Sequence, residues 1–303
     1  MNSNPMIDPR VIAATRGLEV AARKWVTGLV AGMHSSRRSG FAREFSQYRA
    51  YQPGDDTRHI DWKLFARSDR YFLRESDVDT TMNVRIVLDA TESMAYKEDR
   101  RRKFDDARIL AAAFACLAAE QGDPVGLHTV RDGHVESIQP GAHRQPFRRI
   151  VYALEQLTPA GKWTASPRRL SAALAQTVRA PGDASSALTI ILTDGHEHSE
   201  EIRNSLLPLR ARRHEVLFVH LTGHDEASFP YTGLVRFEEI ETGRIIEADA
   251  GAVRTAYLGE NERWLDDWRR VWRGDRFDYC RIGMNEPLDR ALRSYLRRRA
   301  RRN

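Results

Sequence analysis

Residues 84–93 read VRIVLDATES, a short and mostly apolar run that ends in Asp89 and continues with hydroxyl side chains at alternate positions. Residues 187–195 repeat this pattern, because the apolar run ALTIIL is followed by TDG and therefore by Asp194. Apolar runs of this length with polar ends are typical of buried strands. The sequence thus predicts two buried strands that each end in an aspartate.

The segments between the predicted strands have apolar residues at helical spacing. From residue 104 to residue 121, apolar residues recur at steps of three and four, which predicts a helix with a buried face. Further helices are predicted at 145–157, from Pro167, at 199–213 and at 252–272. Further strands are predicted at 125–130, 135–138, 216–221 and 277–282. This alternation predicts an α/β protein with a doubly wound, mostly parallel sheet that has helices on both faces.

The chain is predicted to have two parts. Residues 1–80 contain a helix at 11–32 and a small β-rich block that is basic and aromatic. Residues 81–303 contain the sheet, a hairpin insertion near 233–248 and an Arg-rich terminal helix. The tail at 290–303 has seven arginines and no acid, whereas the whole chain has a formal net charge of +6. The tail is either a solvated helix end or a contact to nucleic acid, anionic lipid or an acidic partner.

Composition excludes several other classes of protein. The two cysteines, Cys116 and Cys280, are too few for a disulfide framework or a four-cysteine zinc site, and they favour a reducing compartment. No segment has about 18 consecutive uncharged apolar residues, and the N-terminus lacks the basic start and apolar core of a signal peptide. We therefore expect a cytoplasmic protein without a transmembrane segment.

The two predicted strand ends form a candidate metal site. Ligands bind outside the carboxyl ends of strands in open parallel sheets, so Asp89, Thr91 and Ser93 are expected to approach Asp194. Thr164 adds a hydroxyl from a third loop. Carboxylate and hydroxyl oxygens with water suit a hard divalent cation, above all Mg²⁺. Each of these residues alone could instead cap a helix or form a turn. Because all of them occur together and in this order along the chain, the metal site is the favoured interpretation.

The run DATESM at 89–94, together with Thr164 and the TDG at 193–195, resembles the metal-ion-dependent adhesion site of von Willebrand factor type A domains. The resemblance implies five ligands of Mg²⁺ or Mn²⁺, which are Asp89, Thr91, Ser93, Thr164 and Asp194. Thr91 stands where serine is usual, but its hydroxyl is an equivalent oxygen donor. Lys162 precedes Thr164 where glycine is frequent, and an ammonium pointing inward would weaken metal binding.

A second resemblance is carried by residues 45–62, FSQYRAYQPGDDTRHIDW, and by Ala66 and Arg67. These residues resemble the signature of the bacterial domain-of-unknown-function family fifty-eight, in which such a block precedes an A-type domain. Members of that family are commonly encoded beside MoxR-type AAA+ ATPases. The resemblance implies a non-enzymatic, Mg²⁺-dependent protein-interaction module that works with a MoxR-type ATPase to assemble or activate another complex. A client protein would donate an Asp or Glu carboxylate to the metal.

Two other functions stand as alternatives. A Mg²⁺-dependent hydrolase would use Asp89 and Asp194, although the sequence supplies no clear general base beside them. Binding of nucleic acid or of a membrane surface would depend on the Arg-rich tail, because the residues before it sum to a net charge of −1. We therefore do not expect nucleic acid to be the main partner.

Three further groups have a structural interpretation beside a functional one. Trp264, Trp268 and Trp272 recur every four residues, which fits core packing or a docking stripe. His196 and His198 fit a polar loop better than a transition-metal site, because no third ligand has a suitable spacing. The charged and aromatic residues of the family block form either an internal network of ion pairs or a partner surface.

Overall fold

The protein is described by a computed structural model that divides into two compact units. The larger unit contains Met1–Leu29 and Met82–Asn303, and the smaller unit is Val30–Thr81. The N-terminal residues up to Leu29 thus cluster with the sheet, which differs from the predicted part at 1–80. The structure describes residues 9–36, 47–52, 60, 62–75, 82–98, 101–141, 144–163, 187–195, 204, 214–240, 243–272 and 277–300. The helices predicted from Pro167 and at 199–213 lie outside these residues, except for Asn204.

The described residues form the following regular elements. The α-helices are α1 (Pro9–Arg16), α2 (Leu18–Ser36), α3 (Trp62–Ser68), α4 (Lys103–Glu120), α5 (Arg144–Gln156), α6 (His224–Ser228), α7 (Ala250–Val271) and α8 (Asp289–Ala300). The strands are β1 (Gln47–Ala50), β2 (Phe72–Glu75), β3 (Asn83–Asp89), β4 (Lys97–Glu98), β5 (Arg101–Arg102), β6 (Val125–Arg131), β7 (His134–Gly141), β8 (Ala187–Thr193), β9 (Glu215–Thr222), β10 (Leu234–Glu238), β11 (Ile245–Asp249) and β12 (Phe277–Gly283).

A six-stranded sheet forms the centre of the larger unit. Its strand order is β12-β9-β8-β3-β6-β7. All neighbouring strands pair in parallel except β7, which returns antiparallel to β6 through the tight turn at Asp132 and Gly133. The prediction of an α/β protein with a doubly wound, mostly parallel sheet is therefore confirmed.

Both faces of the sheet are covered by helices. On one face, Phe218 of β9 packs against Trp268 of α7 and against Trp272, which directly follows α7, with ring-centroid distances of 4.9 and 5.0 Å. Val87 and Ile191 belong to the same buried cluster. The residues that alternate with Val87 in β3 are also fully buried, and α4 packs against β3, β6 and β8. Core packing is thus the role that the structure gives to Trp268 and Trp272.

The predicted helix at 11–32 is interrupted. Gly17 has φ of +85°, a left-handed conformation that ends α1 and separates it from α2. The backbone N–H of Leu18 then donates to the carboxylate of Glu155 in α5 at 3.3 Å. Arg10 of α1 forms a bidentate ion pair with Asp106 of α4, at 2.7 and 2.8 Å. These polar contacts fix α1 and the start of α2 against the helical layer of the larger unit.

Two peripheral elements lie outside the central sheet. Strands β10 and β11 form an antiparallel pair in the place of the predicted hairpin, and they leave Leu234, Ile245 and Ile246 exposed. The terminal helix α8 buries Leu292 against the body of the unit. Within the part of the chain that the structure describes, no helix combines the length and apolarity needed to cross a membrane.

The smaller unit is organised by aromatic side chains. Strands β1 and β2 pair antiparallel, and the N–H of Tyr51 donates to the carbonyl of Tyr71 at 3.0 Å. The ring of Phe65 from α3 stacks on Tyr71 with a centroid distance of 4.5 Å, and Trp62 meets Phe65 edge-on. Most charged residues of the family block, at 53–59 and 61, lie outside the described residues.

His128 gives the larger unit a predicted pH dependence. Its side chain is fully buried in β6, and its Nδ1 lies 2.8 Å from Oγ of Ser137. Burial lowers the pKa of His128 from 6.5 to about 4, and the nearby Arg85 guanidinium adds to this effect. The unfolded chain therefore binds the proton more tightly. The neutral, buried His128 therefore contributes to the free energy of unfolding. This contribution is complete above pH 6.5 and is lost as the pH falls towards 4.

We expect the wild type to lose roughly 2 to 3 kcal/mol more unfolding free energy than His128→Gln between pH 7 and pH 4. Urea denaturation at several pH values measures the difference. His134→Gln changes an exposed histidine of the next strand and is the matched control. Parallel pH profiles of the wild type and His128→Gln would contradict the prediction.

Candidate metal centre

The candidate site lies where the order of strand addition reverses. From β3 the chain continues to β6 on one side, whereas β8 pairs with the other side of β3. Open parallel sheets bind ligands at such a switch point, outside the carboxyl ends of the strands. Asp89 ends β3 and Asp194 directly follows β8, so both predicted aspartates lie at this point.

Asp89 is buried and receives hydrogen bonds on both carboxylate oxygens. Its Oδ1 accepts from the N–H of Thr91 at 3.0 Å and from the Thr91 hydroxyl at 2.7 Å. Its Oδ2 accepts from the hydroxyl of Thr193 at 2.5 Å. These bonds fix the carboxylate between the ends of the two central strands. The N–H of Gly195 donates in turn to Oγ1 of Thr193 at 3.0 Å, which orients the third loop.

Hydroxyl oxygens connect Asp89 to Asp194. The Oγ1 of Thr91 lies 3.1 Å from Oγ of Ser93, and the Ser93 hydroxyl donates to Oδ1 of Asp194 at 3.3 Å. The structure thus brings together four of the predicted ligands. Thr164, the fifth, lies outside the described residues.

The loop that leads to Thr164 is held against the first loop by backbone hydrogen bonds. The N–H of Glu92 donates to the carbonyl of Gly161, and the N–H of Ala160 donates to the carbonyl of Ala90, both at 2.9 Å. Trp163 is buried in the core cluster. The chain therefore enters the predicted second loop from a position anchored beside the first loop.

The two aspartates form a buried pair of carboxyl groups that favours a nearby cation. Burial raises the pKa of Asp89 to about 7, the Asp194 carboxylate adds to the increase, and the hydrogen bonds from Thr193 and Thr91 oppose it. A buried carboxylate beside a like charge is costly to ionise unless a positive charge lies close to it. A divalent cation among these oxygens would relieve that cost.

Lys103 supplies one positive charge at the same place. Its side chain is 1% exposed, and its Nζ lies 3.3 Å from Oδ2 of Asp194 and 2.5 Å from Oε1 of Glu226. Burial lowers the pKa of the ammonium, but Asp194 and Glu226 outweigh this effect and raise the pKa above its ordinary value. The sequence drew attention to Lys162 as a lysine that would weaken metal binding if it pointed inward. In the structure, the ammonium that contacts Asp194 belongs to Lys103.

The donor set fits a hard divalent cation. Two carboxylates and two hydroxyls are oxygen donors, as Mg²⁺ requires. Among the described residues, no group of three or more His, Cys, Asp and Glu side chains could hold a metal ion, so a site here depends on hydroxyl oxygens. If Asp89, Asp194 and Glu226 are ionised, the Lys103 ammonium leaves two negative charges uncompensated. That charge matches one divalent ion.

A buried histidine supports the third loop from behind. The Nε2 of His220 lies 2.7 Å from the carbonyl oxygen of Asp194, and its Nδ1 lies 2.6 Å from the hydroxyl of Tyr279. The imidazole also meets the ring of Trp264 edge-on, with centroids 5.2 Å apart. Through these three contacts, His220 connects the Asp194 loop to α7 and β12.

Sequence reasoning missed Lys103 and His220. Lys103 lies among charged residues before the predicted helix, but it is in phase with Ala107, Leu110 and Phe114 of the buried face. Extending the helical period by one step to the N-terminal side would therefore have marked Lys103 as buried. His220 lies inside the predicted strand at 216–221. The alternation of a strand alone does not distinguish a histidine that only fills the core from one that holds the Asp194 loop.

A mostly parallel six-stranded sheet with two aspartate-bearing loops at its switch point defines a doubly wound α/β protein. The chain belongs to the family described as protein of unknown function DUF58, whose sequence model matches residues 47–264. An uncharacterised protein of Mycobacterium tuberculosis is 27% identical over 289 residues, which cover 93% of this chain and 84% of that protein. An uncharacterised protein of Mycobacterium bovis gives the same values.

Several solved structures are similar to this chain. BatB from Bacteroides thetaiotaomicron has a TM-score of 0.48 at 16% identity, covering 73% of this chain and 99% of that chain. An aerotolerance-related membrane protein from Bacteroides fragilis has a TM-score of 0.47 at 16% identity, covering 71% and 97%. The VWA domain of SpRpn10 has a TM-score of 0.42 at 10% identity, covering 71% and 95%.

Gly161 is predicted to be essential for the approach of the first two loops. It has φ of +64°, and an added Cβ would meet the Asp132 side chain. Gly161→Ala should therefore destabilise the protein by roughly 3 kcal/mol, through backbone strain and a steric clash. Gly243 has φ of +69° with no heavy atom within 4 Å of an added Cβ. Gly243→Ala should cost only about 1 kcal/mol, from the conformation alone.

Chemical denaturation of both variants tests this comparison. The difference between the unfolding free energies of the two variants measures the clash between the Cβ added at residue 161 and the Asp132 side chain. Equal destabilisation by the two substitutions would show that the loop tolerates a side chain at residue 161.

Proposed function

We propose that this protein is a non-enzymatic protein-interaction module whose binding depends on Mg²⁺, and that it is a partner of a MoxR-type AAA+ ATPase. The proposal rests on one observation, which is the convergence of Asp89, Thr91, Ser93 and Asp194 at the switch point of the sheet. The von Willebrand factor A-like fold supports an interaction role.

In this proposal Asp89, Thr91, Ser93 and Asp194 would hold the ion together with Thr164. When bound, Mg²⁺ supplies a hard electrophilic site that a carboxylate of a partner protein can complete. The residues of this chain provide the oxygen donors and the negative charge that retain the ion. Thr91 and Thr193 also fix the Asp89 carboxylate, so its position does not depend on the partner.

The groups around the aspartates favour interaction over hydrolysis. A hydrolase needs a group that accepts a proton at the reacting centre. Lys103 is held protonated by Asp194 and Glu226, because these carboxylates raise its pKa. Both ring nitrogens of His220 are engaged, with the Asp194 carbonyl and with Tyr279. Neither group is placed to act as a general base in the part of the chain that the structure describes.

Membership of the family supports the ATPase partnership. The family model covers the block beginning at residue 47 as well as the sheet strands from β3 to β9. The resemblance of residues 45–67 to family members that are commonly encoded beside MoxR-type ATPases is the reason for naming this partner class. A client that donates an Asp or Glu carboxylate would then be the third component.

Mg²⁺ is expected to stabilise the wild type but not Asp89→Asn. At a free concentration of about 100 times Kd, linkage gives about 2.7 kcal/mol. Thermal melts and isothermal titration calorimetry with Mg²⁺ measure the effect. Asp266→Asn removes an exposed carboxylate of α7 that is paired with Arg269, and should respond to Mg²⁺ as the wild type does. The absence of heat and of a melting shift in the wild type would overturn the metal dependence.

The purified protein is expected to bind a purified MoxR-type ATPase from the same organism when Mg²⁺ is present. Ser93→Ala removes one donor oxygen without burying a new charge, so it should weaken binding and preserve the fold. Surface plasmon resonance measures the binding of the wild type and of Ser93→Ala to the ATPase, in Mg²⁺ and in a chelator. Binding that survives the chelator would remove the metal from recognition, and absence of binding in both conditions would overturn the partnership.

A further inference from the structure

Lys103 is an unusual residue to bury at the edge of the candidate metal site. It is the first residue of α4, and its side chain lies between two loops instead of extending into solvent. Its Nζ contacts Asp194 on one side and Glu226 on the other, and it lies 5.0 Å from the ring centroid of Tyr96. A buried ammonium is strongly unfavourable unless carboxylates pair with it. The pairing with two carboxylates therefore marks a specific electrostatic role.

Asp194 uses its two oxygens for different neighbours. Oδ1 accepts from Ser93 and so belongs to the candidate metal site, whereas Oδ2 faces the Lys103 ammonium. A bound divalent ion and Lys103 would therefore share this one carboxylate. Two cations that share a carboxylate repel each other, and burial increases that repulsion because it is poorly screened.

Glu226 connects Lys103 to the next loop. Its Oε1 accepts from Lys103, and its Oε2 accepts from the N–H of Gly223 at 2.7 Å, which caps the short helix α6. The carbonyl of Glu226 accepts from Asn261 of α7 at 3.1 Å. Glu226 is thus held from three sides, and Lys103 is positioned between two fixed carboxylates.

We propose that Lys103 is the resident counter-cation of the candidate metal site. Its ammonium holds the Asp194 carboxylate in the ligand orientation while no divalent ion is bound, and it weakens the affinity for the ion that binds there. Lys103 is a positioning residue, since it acts through Asp194. The effect on ion affinity rests on the proposed metal dependence, whereas the effect on the ion-free protein does not.

Two opposite effects follow from removal of the ammonium. Without Lys103, the ammonium that lies between Asp194 and Glu226 is lost, so the ion-free protein becomes less stable. The same loss removes a repelling cation and leaves three carboxylates, so the divalent ion binds more tightly. A residue with a purely structural role would lower stability without increasing ion affinity.

The test uses five variants and Mg²⁺ alone as the probe. Lys103→Met removes the ammonium, and Lys103→Arg retains a positive charge. Glu226→Gln and the double variant Lys103→Met/Glu226→Gln form a double-mutant cycle. Lys97→Met removes an exposed lysine of β4 and is the control for loss of one positive charge. Thermal melts in chelator measure the ion-free protein, and calorimetric titration measures the Kd for Mg²⁺.

We expect Lys103→Met to melt below the wild type in chelator and to bind Mg²⁺ at least about tenfold more tightly. Lys103→Arg should resemble the wild type in both measurements, and so should Lys97→Met. The double variant should recover part of the melting temperature lost in Lys103→Met, because the carboxylate charge that faced the ammonium is removed together with it. If Lys103→Met does not fold, tighter Mg²⁺ binding by the double variant than by Glu226→Gln supports the same conclusion.

The outcomes separate this inference from the proposed function. Mg²⁺ binding by the wild type with equal or weaker binding by Lys103→Met, or by the double variant relative to Glu226→Gln, would overturn the role of Lys103 and keep the metal site. No Mg²⁺ binding by the wild type or any variant would overturn the metal dependence. In that case the effect of Lys103 on ion affinity falls as well, and a lower melting temperature of Lys103→Met in chelator, rescued by Lys103→Arg, would support only the pairing of the ammonium with Asp194 and Glu226 in the ion-free protein.

Discussion

Two buried aspartates at the ends of adjacent parallel strands impose the central electrostatic constraint on this protein. The pairing of β3 with β8 places Asp89 and Asp194 at one point, and neither strand can move without losing a buried face of the sheet. The surrounding hydroxyls, the Lys103 ammonium and the His220 contact are all arrangements that stabilise this pair. The first loop, the third loop and the start of α4 are therefore linked by charge as well as by packing.

The fold was largely predictable because its signals are local. The apolar runs of β3 and β8, the helical period of α4 and the turn at Asp132 each lie within a short window of sequence. The interruption at Gly17 was missed, because one glycine in a helical pattern does not reveal whether the chain adopts a left-handed conformation there. The tryptophans at 268 and 272 had two interpretations, and only the position of α7 against Phe218 decided between them.

The candidate site was predictable in its oxygen donors but not in its charge balance. Asp89, Thr91 and Ser93 are close in sequence, and Asp194 follows from the rule that parallel strands end at the same edge. Lys103 and Glu226 lie 123 residues apart, and their contact depends on the tertiary fold, which brings Glu226 to the start of α4. A pairing of this kind has no sequence signature, because each residue alone is typical of an exposed position.

The hydrogen bond from Thr193 to Asp89 joins residues that are 104 positions apart. A contact of such long sequence separation can form only when the two strands that carry these residues are brought together, which costs loop-closure entropy. The first loop alone holds only part of the donor set, so a nascent or misfolded chain cannot present the complete surface. A partner that reads this edge of the sheet would therefore distinguish fully folded copies from incomplete ones, and recognition would serve as a check on the maturation of the chain.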